Sequence, residues 1–276
     1  MTVDDPRAAP DVVDPAALVD GGVLAAVEVL AEAASTMDRG RALAEDPAAR
    51  LPAAVVADVQ THGRGRRAAR WWQPPGSLAV SLVIDGGPAG RHARGPQPTW
   101  SLACGVAVAE AVRLLEPGVA AVVRWPNDVE VEGRKLAGIL VETATTGRAI
   151  FGIGVNTTGS VREAPAALRH RLVTLPDLTG RPLARQRLLA VLVPRLVDLI
   201  AAIDADPAVL AARYRPLCGL DGRPVRVHAG DLVHAGVCRG IAADGGLVID
   251  TDTGRVVVRS GSLTPPGAEW RGEAAG

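Results

Sequence analysis

The stretch RWPNDVEVEGRKLAGILVE, Arg124–Glu142, contains Lys135, the only lysine among the thirty basic residues of this 276-residue chain. An ammonium is a compact charge on a flexible stem and a guanidinium is a planar fork, so the two cations are not interchangeable. In a narrow pocket one cation can have to contact two oxygens that do not lie in one plane. Such a site can require the ammonium. Chance survival of a single lysine is the alternative, and the neighbouring motifs favour the pocket.

The same stretch predicts a hairpin followed by a strand. Within Trp125–Asp128, Trp-Pro interrupts a strand and Asn-Asp is common turn chemistry. A tight turn is one interpretation of this motif, and polar groups that face a ligand at a strand end are the other. Alternation along the next strand is expected to place Lys135, Ala137 and Ile139 on one face, where small residues leave room for a ligand carboxylate.

The order of the predicted elements indicates an α+β fold with a mixed central sheet flanked by helices. We predict strands at 53–59, 78–84, 120–124, 128–131, 135–143 and 149–155, and helices at 16–33, 38–45, 99–115 and 185–202. Pro194 is expected to kink or split the last helix. From Cys218, the short β-rich runs 224–228, 232–239, 246–250 and 255–259 predict a small SH3-like barrel. The expected boundaries are a disordered tail at 1–15, a catalytic domain at 16–216, the barrel at 217–266 and a second tail at 267–276.

Composition narrows the classes of function. The formal net charge is zero and 48% of residues are hydrophobic, which argues against a general affinity for nucleic acid or membranes. Three cysteines without a C-x-x-C pattern, and histidines without ligand spacing, argue against disulfide scaffolding and zinc. The N-terminus has neither a basic segment nor an apolar core of a secretory signal. We therefore expect a soluble, cytoplasmic protein.

An arginine-rich loop is predicted between the first two strands, at 60–77. Its motif, QTHGRGRR at Gln60–Arg67, combines glycines that admit close backbone approach with side chains that donate to oxyanions. A cationic loop that folds over a charged intermediate has this composition. A solvated arginine run and a patch for RNA are the alternatives, although no aromatic residues are interleaved with the arginines. A later motif, Gly152–Asn156, lacks the spacing of a dinucleotide fingerprint, and no Walker A sequence occurs.

Taken in order, these segments resemble biotin–protein ligases, the family that includes the biotin operon repressor. The similarity runs from about residue 33 to residue 264 and implies a class II synthetase-like catalytic domain followed by an SH3-like domain. The matching motifs are Ser35-Thr36, Gln60 with Gly63–Arg67, Trp71, Arg124–Asp128, Lys135–Glu142 and Gly152–Asn156.

The resemblance implies a two-step ligation with ATP, biotin and Mg²⁺. The biotin carboxylate attacks the α-phosphate of ATP and gives biotinyl-5′-AMP and pyrophosphate. A lysine of a biotin carboxyl carrier protein, or of the equivalent domain of an acyl-CoA carboxylase, then attacks the anhydride. Fixed cations lower the barrier to bringing two anions together. The implied activity is that of a biotin–[biotin carboxyl-carrier protein] ligase.

By the same resemblance, three residues carry the chemistry and two further sets bind the substrates. Lys135 contacts the biotin carboxylate and the α-phosphate, Arg66 lies nearest the phosphate, and Asp128 orients either the incoming lysine or magnesium. The implied biotin-binding residues are Ser35, Thr36, Gln60, Gly63, Arg64, Trp71, Lys135 and Gly138. The implied nucleotide-binding residues are Arg64, Arg66, Trp71, Asn127 and Asn156.

The chain departs from the family pattern at two places. Met37 follows Ser35-Thr36 where the family usually has Asn, which removes a polar contact. Ala68-Ala69 stands where Gly-Arg is usual, which removes a loop arginine. Only about thirty residues precede Ser35, too few for a winged helix, so a monofunctional ligase that does not bind DNA is expected; the resemblance admits a homodimer formed through the central sheet.

Three other functions compete with biotin ligation. Lipoate or octanoate ligation occurs on a related fold with a similar lysine, but the Gln60–Arg67 motif together with Trp-Pro-Asn-Asp favours biotin. A non-catalytic nucleotide- or RNA-binding protein that uses the arginine loop has no need of Lys135 or Asp128. A family member that binds biotin without transferring it is the third, and Ala68-Ala69 is its only hint.

We predict that the 60–77 loop is not ordered without ligand, because such a loop has to open for substrate and close over the adenylate. Hydrogen exchange of its backbone amides, measured with and without biotin and ATP, tests this. Protection is expected to rise when both ligands are present, and equal protection in the two states contradicts the prediction.

Overall fold

A seven-stranded mixed sheet carries most of the fold in the computed structural model, which describes residues 11–85 and 98–264. Its order is β1-β2-β3-β7-β6-β5-β4, with only β1 and β2 parallel. The strands are β1 Ala26–Ala33, β2 Ala53–Gln60, β3 Leu78–Ile84, β4 Val122–Arg124, β5 Asp128–Val131, β6 Arg134–Thr143 and β7 Ala149–Val155. The mixed sheet and the predicted strands from 53 onward are confirmed.

Within the described residues six α-helices accompany this sheet, and the longest two pack together across its core. They are α1 Pro15–Asp20, α2 Thr36–Glu45, α3 Pro98–Leu115, α4 Leu175–Thr179, α5 Arg185–Ala205 and α6 Ala208–Tyr214. Helix α3 is apolar on nearly every side and contacts both α5 and β6, so it is a buried helix rather than an amphipathic surface one. Its Trp100 lies with its ring centroid 6.2 Å from that of Phe151 on β7.

The predicted helix at 16–33 is wrong over its second half. Gly21 and Gly22 end α1 after six residues, and Ala26–Ala33 forms the edge strand β1, paired with β2. The apolar spacing that indicated one long helix is shared between a short helix and a strand. Pairing with a distant segment decided the conformation, which local periodicity cannot detect.

Two further expectations need adjustment. Helix α5 continues past Pro194 and is not split, because one face of the helix is buried on both sides of the proline. Residues of the expected N-terminal tail also make contacts: Val13 is buried and Asp11 forms an ion pair with Arg185 at 3.1 Å. The chain is rich in Gly and Pro at 85–98, which predicts a second loop; this loop and the expected C-terminal tail lie almost wholly outside the described residues.

The C-terminal unit is a five-stranded antiparallel sheet in the order β11-β10-β9-β8-β12. Its strands are β8 Pro224–Ala229, β9 Leu232–Ile241, β10 Leu247–Thr251, β11 Gly254–Val258 and β12 Ser262–Leu263. The first four were predicted, and β12 is too short to leave a periodic signal. The unit is joined to the β4–β5 hairpin, where Gly219 donates to the Val123 carbonyl at 3.0 Å and the Trp125 indole donates to Gly245 at 3.1 Å.

Within the described ranges, no helix combines the length and the apolar composition needed to cross a lipid bilayer.

A substitution at Gly236 on β9 tests how closely β9 approaches β10. A Cβ at this position would collide with the backbone carbonyl of Asp250, and backbone cannot move aside as a flexible side chain can. We expect Gly236→Ala to lower the free energy of unfolding by about 1–3 kcal/mol. Gly118→Ala is the matched control, because a Cβ there meets nothing within 4 Å. Equal denaturation midpoints for the two variants would contradict this packing.

Candidate active site

A cleft of about 490 Å³ opens between the arginine loop, the β4–β5 hairpin, strands β6 and β7, and the end of the C-terminal sheet. Ten of the twelve predicted site residues line it: Ser35, Thr36, Gln60, Arg64, Arg66, Trp71, Asn127, Asp128, Lys135 and Gly138. The other two, Gly63 and Asn156, lie behind its wall. Motifs separated by as many as a hundred residues therefore meet at one surface.

A β-bulge aims the Lys135 side chain into this cleft. Glu130 of β5 pairs with Lys135 and Val129 pairs with Ala137, so Leu136 is an extra residue in β6. The extra residue shifts Lys135 to the face that carries Gly138. The expected common face for Lys135, Ala137 and Ile139 is therefore wrong, because strict alternation fails at a bulge.

The lysine ammonium is held by an acidic and an aromatic neighbour. Lys135 Nζ lies 2.7 Å from Asp128 Oδ1, and both side chains are only partly exposed. The same ammonium lies 5.1 Å from the centroid of the Trp71 ring, within the range of a cation–π interaction. The lysine thus has a fixed position and a counter-ion before any substrate arrives.

Two paired glycines form the surface on which Trp71 lies. Gly138 of β6 is directly opposite Gly154 of β7. A Cβ at Gly154 would be 2.5 Å from the indole, and one at Gly138 would be 2.9 Å from the indole and 3.0 Å from Lys135 Nζ. We call Gly138 and Gly154 the glycine pair. Any larger residue at either position would displace Trp71, and at Gly138 the lysine as well.

A chain of hydrogen bonds runs along the floor of the cleft from β3 to Trp71. Ser81 Oγ donates to Thr36 Oγ1 at 2.9 Å, and the backbone N–H of Thr36 donates to Gln60 Oε1 at 3.0 Å. Gln60 Nε2 donates to Gln73 Oε1 at 3.3 Å, and the Trp71 indole N–H donates to the same oxygen at 2.9 Å. We call these five residues the polar chain.

The polar chain combines residues that the sequence indicated with two that it did not. Thr36 and Gln60 were predicted biotin-binding residues, whereas Ser81 and Gln73 were missed. Ser81 lies in an apolar strand and is completely buried. A serine within a strand predicted to be buried was the sequence feature that could have identified it, because a buried hydroxyl needs a hydrogen-bond partner. Gln73 gave no signal, because it follows Trp71 within an irregular loop.

Ser35 and Met37 shape the end of the cleft at helix α2. Ser35 caps the helix, since its Oγ accepts a hydrogen bond from the Met37 N–H at 3.4 Å. The Met37 side chain is buried and lies against Gly152, where a Cβ would come within 2.6 Å of Sδ. The departure from the usual asparagine therefore replaces a polar group with a packed thioether.

Arginines of the loop attach it to the rest of the cleft. Arg64 forms an ion pair with Asp38 at 2.7 Å, and Arg66 donates to Asn127 Oδ1 at 3.1 Å. Burial and the nearby charge of Arg67 lower the pKa of Arg66, although Asp128 acts in the opposite direction. Arg66 is partly desolvated and has no carboxylate at ion-pair distance within the described part of the chain, so it is suited to receive an anionic ligand.

The C-terminal sheet also holds the loop. Arg66 donates to the Gly261 carbonyl at 3.4 Å, and Arg67 donates to Ser262 Oγ at 3.0 Å. Arg67 has φ +55°, a left-handed conformation that is uncommon for a side chain of this size. The loop conformation is therefore fixed partly by contacts with the second unit, and residues 261–263 complete the cleft wall.

The two predicted nucleotide-binding asparagines are placed differently. Asn127 lines the cleft and also donates from Nδ2 to the Ile139 carbonyl at 2.9 Å. Asn156 is completely buried and donates from Nδ2 to the Val173 carbonyl at 3.0 Å. Gly63 is buried beneath Trp71, and the backbone N–H of Trp71 donates to the Gly63 carbonyl at 2.9 Å. Asn156 and Gly63 therefore contribute to the wall behind the cleft.

An ion pair that the sequence did not indicate lies beside the lysine. Arg124 Nη1 is 3.4 Å from Glu130 Oε1, and both side chains are largely buried. Burial raises the pKa of Glu130, and the Arg124 charge opposes that rise. Arg124 also donates to the Thr264 carbonyl at 3.0 Å. The pair adds one cation and one carboxylate to the cleft and joins it to the C-terminal unit.

The carboxylates of the cleft fit magnesium that arrives with a nucleotide. Magnesium is commonly bound by one or two carboxylates together with phosphate oxygens. Asp128 and Glu130, two positions apart on β5, both line the cleft. Among residues 11–85 and 98–264, no cluster of three His, Cys, Asp or Glu side chains could hold a metal ion by itself.

Known proteins are similar to this chain in sequence and in fold. Residues 33–157 match the biotin/lipoate A/B protein ligase family. The chain is 33% identical to the bifunctional ligase/repressor BirA of Escherichia coli over 72% of its own length, and it spans 62% of that relative. It is 33% identical to the biotin–[acetyl-CoA-carboxylase] ligase of Mycobacterium tuberculosis, over 76% of this chain and 77% of the relative.

A third relative and a solved structure agree with these matches. The biotin–[acetyl-CoA-carboxylase] ligase of Paracoccus denitrificans is 30% identical over 74% of this chain and 86% of its own. The Aquifex aeolicus biotin protein ligase, solved with biotin and ATP, superposes with a TM-score of 0.74 at 26% identity, over 86% of this chain and 97% of that one. Motifs, fold and relatives agree, and the chain belongs to the biotin–protein ligase family.

Proposed function

We propose that this protein activates biotin with ATP as biotinyl-5′-AMP and transfers it to a lysine of a biotin carboxyl carrier protein or domain. The observation that carries the proposal is the position of Lys135. Its ammonium enters a cleft of ligand size, between a carboxylate at 2.7 Å and an indole face. Two of the relatives described above are named biotin–[acetyl-CoA-carboxylase] ligase, and the third is named a bifunctional ligase/repressor.

The division of the cleft into two ends supports an acid with a polar head. Thr36 and Gln60 of the polar chain lie at the end beside helix α2, where their amide and hydroxyl groups can bind a cyclic urea. Lys135 and Arg66 lie at the other end, where a carboxylate and a phosphate would meet. Lipoate has a dithiolane ring in place of the urea and would cover these amide and hydroxyl groups without using their remaining donors and acceptors, which is costly in a buried site. Biotin is therefore the favoured acid.

Activation brings the biotin carboxylate to the α-phosphate of ATP. The carboxylate oxygen forms a bond to phosphorus, and the bond from phosphorus to the pyrophosphate oxygen breaks. Lys135 is positioned to contact both anions, and Arg66 adds a second positive charge. These groups are already oriented, so little reorganisation is needed as charge moves onto the leaving group. Asp128 is the residue that would contact magnesium, which would neutralise charge on the phosphates.

Transfer joins the carrier lysine to biotin through an amide. The lysine amine attacks the acyl carbon of the anhydride, the acyl–oxygen bond breaks, and AMP leaves with that oxygen. Asp128 would orient the incoming lysine and accept the proton that its nitrogen loses as the amide forms. Closure of the arginine loop would exclude water and protect the anhydride from hydrolysis.

The carrier partner and the compartment follow from the same chemistry. We infer a carboxyl carrier domain of an acyl-CoA carboxylase as the acceptor, because two relatives are named for acetyl-CoA carboxylase. We infer a cytoplasmic location, which is supported by three cysteines that are all free thiols.

Exchange of labelled pyrophosphate into ATP tests the proposal directly. We expect exchange that depends on biotin and is absent with lipoate, because only biotin satisfies the polar chain. Exchange with lipoate alone would assign the protein to the other branch of the family. Absence of exchange with both acids would indicate a binding protein that has lost adenylation.

Lys135→Arg is expected to reduce biotin-dependent exchange by about 100-fold or more, since one fixed charge at the reacting centre is misplaced. The guanidinium is larger and would press on the glycine pair. The matched control is Arg134→Lys, the reverse substitution at the preceding residue. The Arg134 side chain pairs with Glu132 outside the cleft. If Lys135→Arg keeps wild-type exchange activity, the single lysine is a coincidence of composition and not a requirement of the site.

A further inference from the structure

The two amides of the polar chain have a defined orientation, because Gln60 and Gln73 lie between two groups that can only donate. The backbone N–H of Thr36 can only donate, so the Gln60 atom that faces it is Oε1. Gln60 therefore presents Nε2 to Gln73, which must answer with an oxygen. The indole N–H of Trp71 can also only donate, and it meets the same Gln73 oxygen. Two independent donors thus fix the orientation of both amides.

Gln73 is the junction of this arrangement. Its Oε1 accepts from Trp71 at 2.9 Å and from Gln60 at 3.3 Å. These two hydrogen bonds restrain rotation of the indole in its own plane above the glycine pair and hold Gln60 Nε2 in place. One oxygen connects the residues proposed to hold the biotin urea with the ring that covers Lys135.

The other half of the Gln73 amide is unsatisfied. Its Nε2 is buried and has no hydrogen-bond partner among the described residues. A buried amide donor without a partner costs free energy, so an apolar side chain at this position would avoid that cost. A glutamine here is explained by its acceptor oxygen, which an apolar residue could not supply.

We propose that Gln73 is a positioning residue for biotin, acting through Gln60 and Trp71 rather than by touching the reacting atoms. The proposal rests on the biotin-ligase function proposed above. Without the Gln73 oxygen, the Trp71 N–H and one Gln60 N–H lose their acceptor. Gln60 is then held only at Oε1, by Thr36, so its Nε2 is no longer fixed toward the urea, and biotin binds more weakly before any chemistry occurs.

The test is calorimetric titration of biotin into the full chain, followed by steady-state pyrophosphate exchange. We expect Gln73→Leu to weaken biotin binding about tenfold, equivalent to about 1.4 kcal/mol. The KM for biotin rises by a similar factor, and the KM for ATP stays near its wild-type value. General damage to the fold would instead raise both KM values and lower the unfolding midpoint.

A conservative variant and a double variant isolate the oxygen. Gln73→Glu keeps an acceptor toward both donors and is expected to recover most of the affinity. In a Trp71→Phe background the indole donor is gone, so Gln73→Leu should cost clearly less than in wild type. If Gln73→Leu does not fold, Gln73→Asn repeats the test, because its shorter side chain cannot reach both donors.

The outcomes separate the two proposals. Wild-type protein that does not bind biotin overturns the proposed function. Wild-type protein that binds biotin, together with a Gln73→Leu variant that binds it equally well, overturns the role of Gln73 and leaves the function standing. Equal losses for Gln73→Leu and Gln73→Glu would also overturn it, because the oxygen would not be the cause.

Discussion

The direction of one side chain, Lys135, is the constraint on which the cleft depends. Regular alternation in β6 would bury this lysine with Ala137 and Ile139 in the core, where an ammonium could not stay charged without a partner. One extra residue in the strand turns it outward to Asp128 at 2.7 Å. The bulge therefore places a charge at a reactive position and protects the core from it.

The remaining features arrange ligand groups around that charge. The glycine pair lets the Trp71 ring lie close to the sheet, and the ring covers the ammonium. The polar chain sets the donors and acceptors at the far end of the cleft. The arginine loop is attached through Arg66 and Arg67 to residues 261 and 262 of the C-terminal sheet. The second unit is thus part of the site wall and contributes to how the loop is held.

Much of this arrangement could be predicted from sequence, and the failures have physical causes. Ten of twelve predicted site residues line the cleft, because the resemblance to biotin–protein ligases assigned them through short motifs that match in order and spacing. The strand β1 was missed because its conformation depends on pairing with β2, far along the chain. The face of β6 on which Lys135 lies was predicted wrongly, because a bulge leaves no periodic signal in the sequence. Gln73 and Glu130 were missed because their roles arise from neighbours brought together only by folding.

The glycine pair also limits how this protein can be improved. Glycine inside a strand packs poorly and has much conformational freedom to lose, so the middle of the sheet carries a permanent thermodynamic weakness. Most strategies for raising heat tolerance would fill these two positions first. Filling them would displace the indole and disrupt the proposed active site in return for greater stability. Evolution toward a hotter environment therefore has to strengthen other parts of the molecule, such as its helices, loops and the C-terminal sheet.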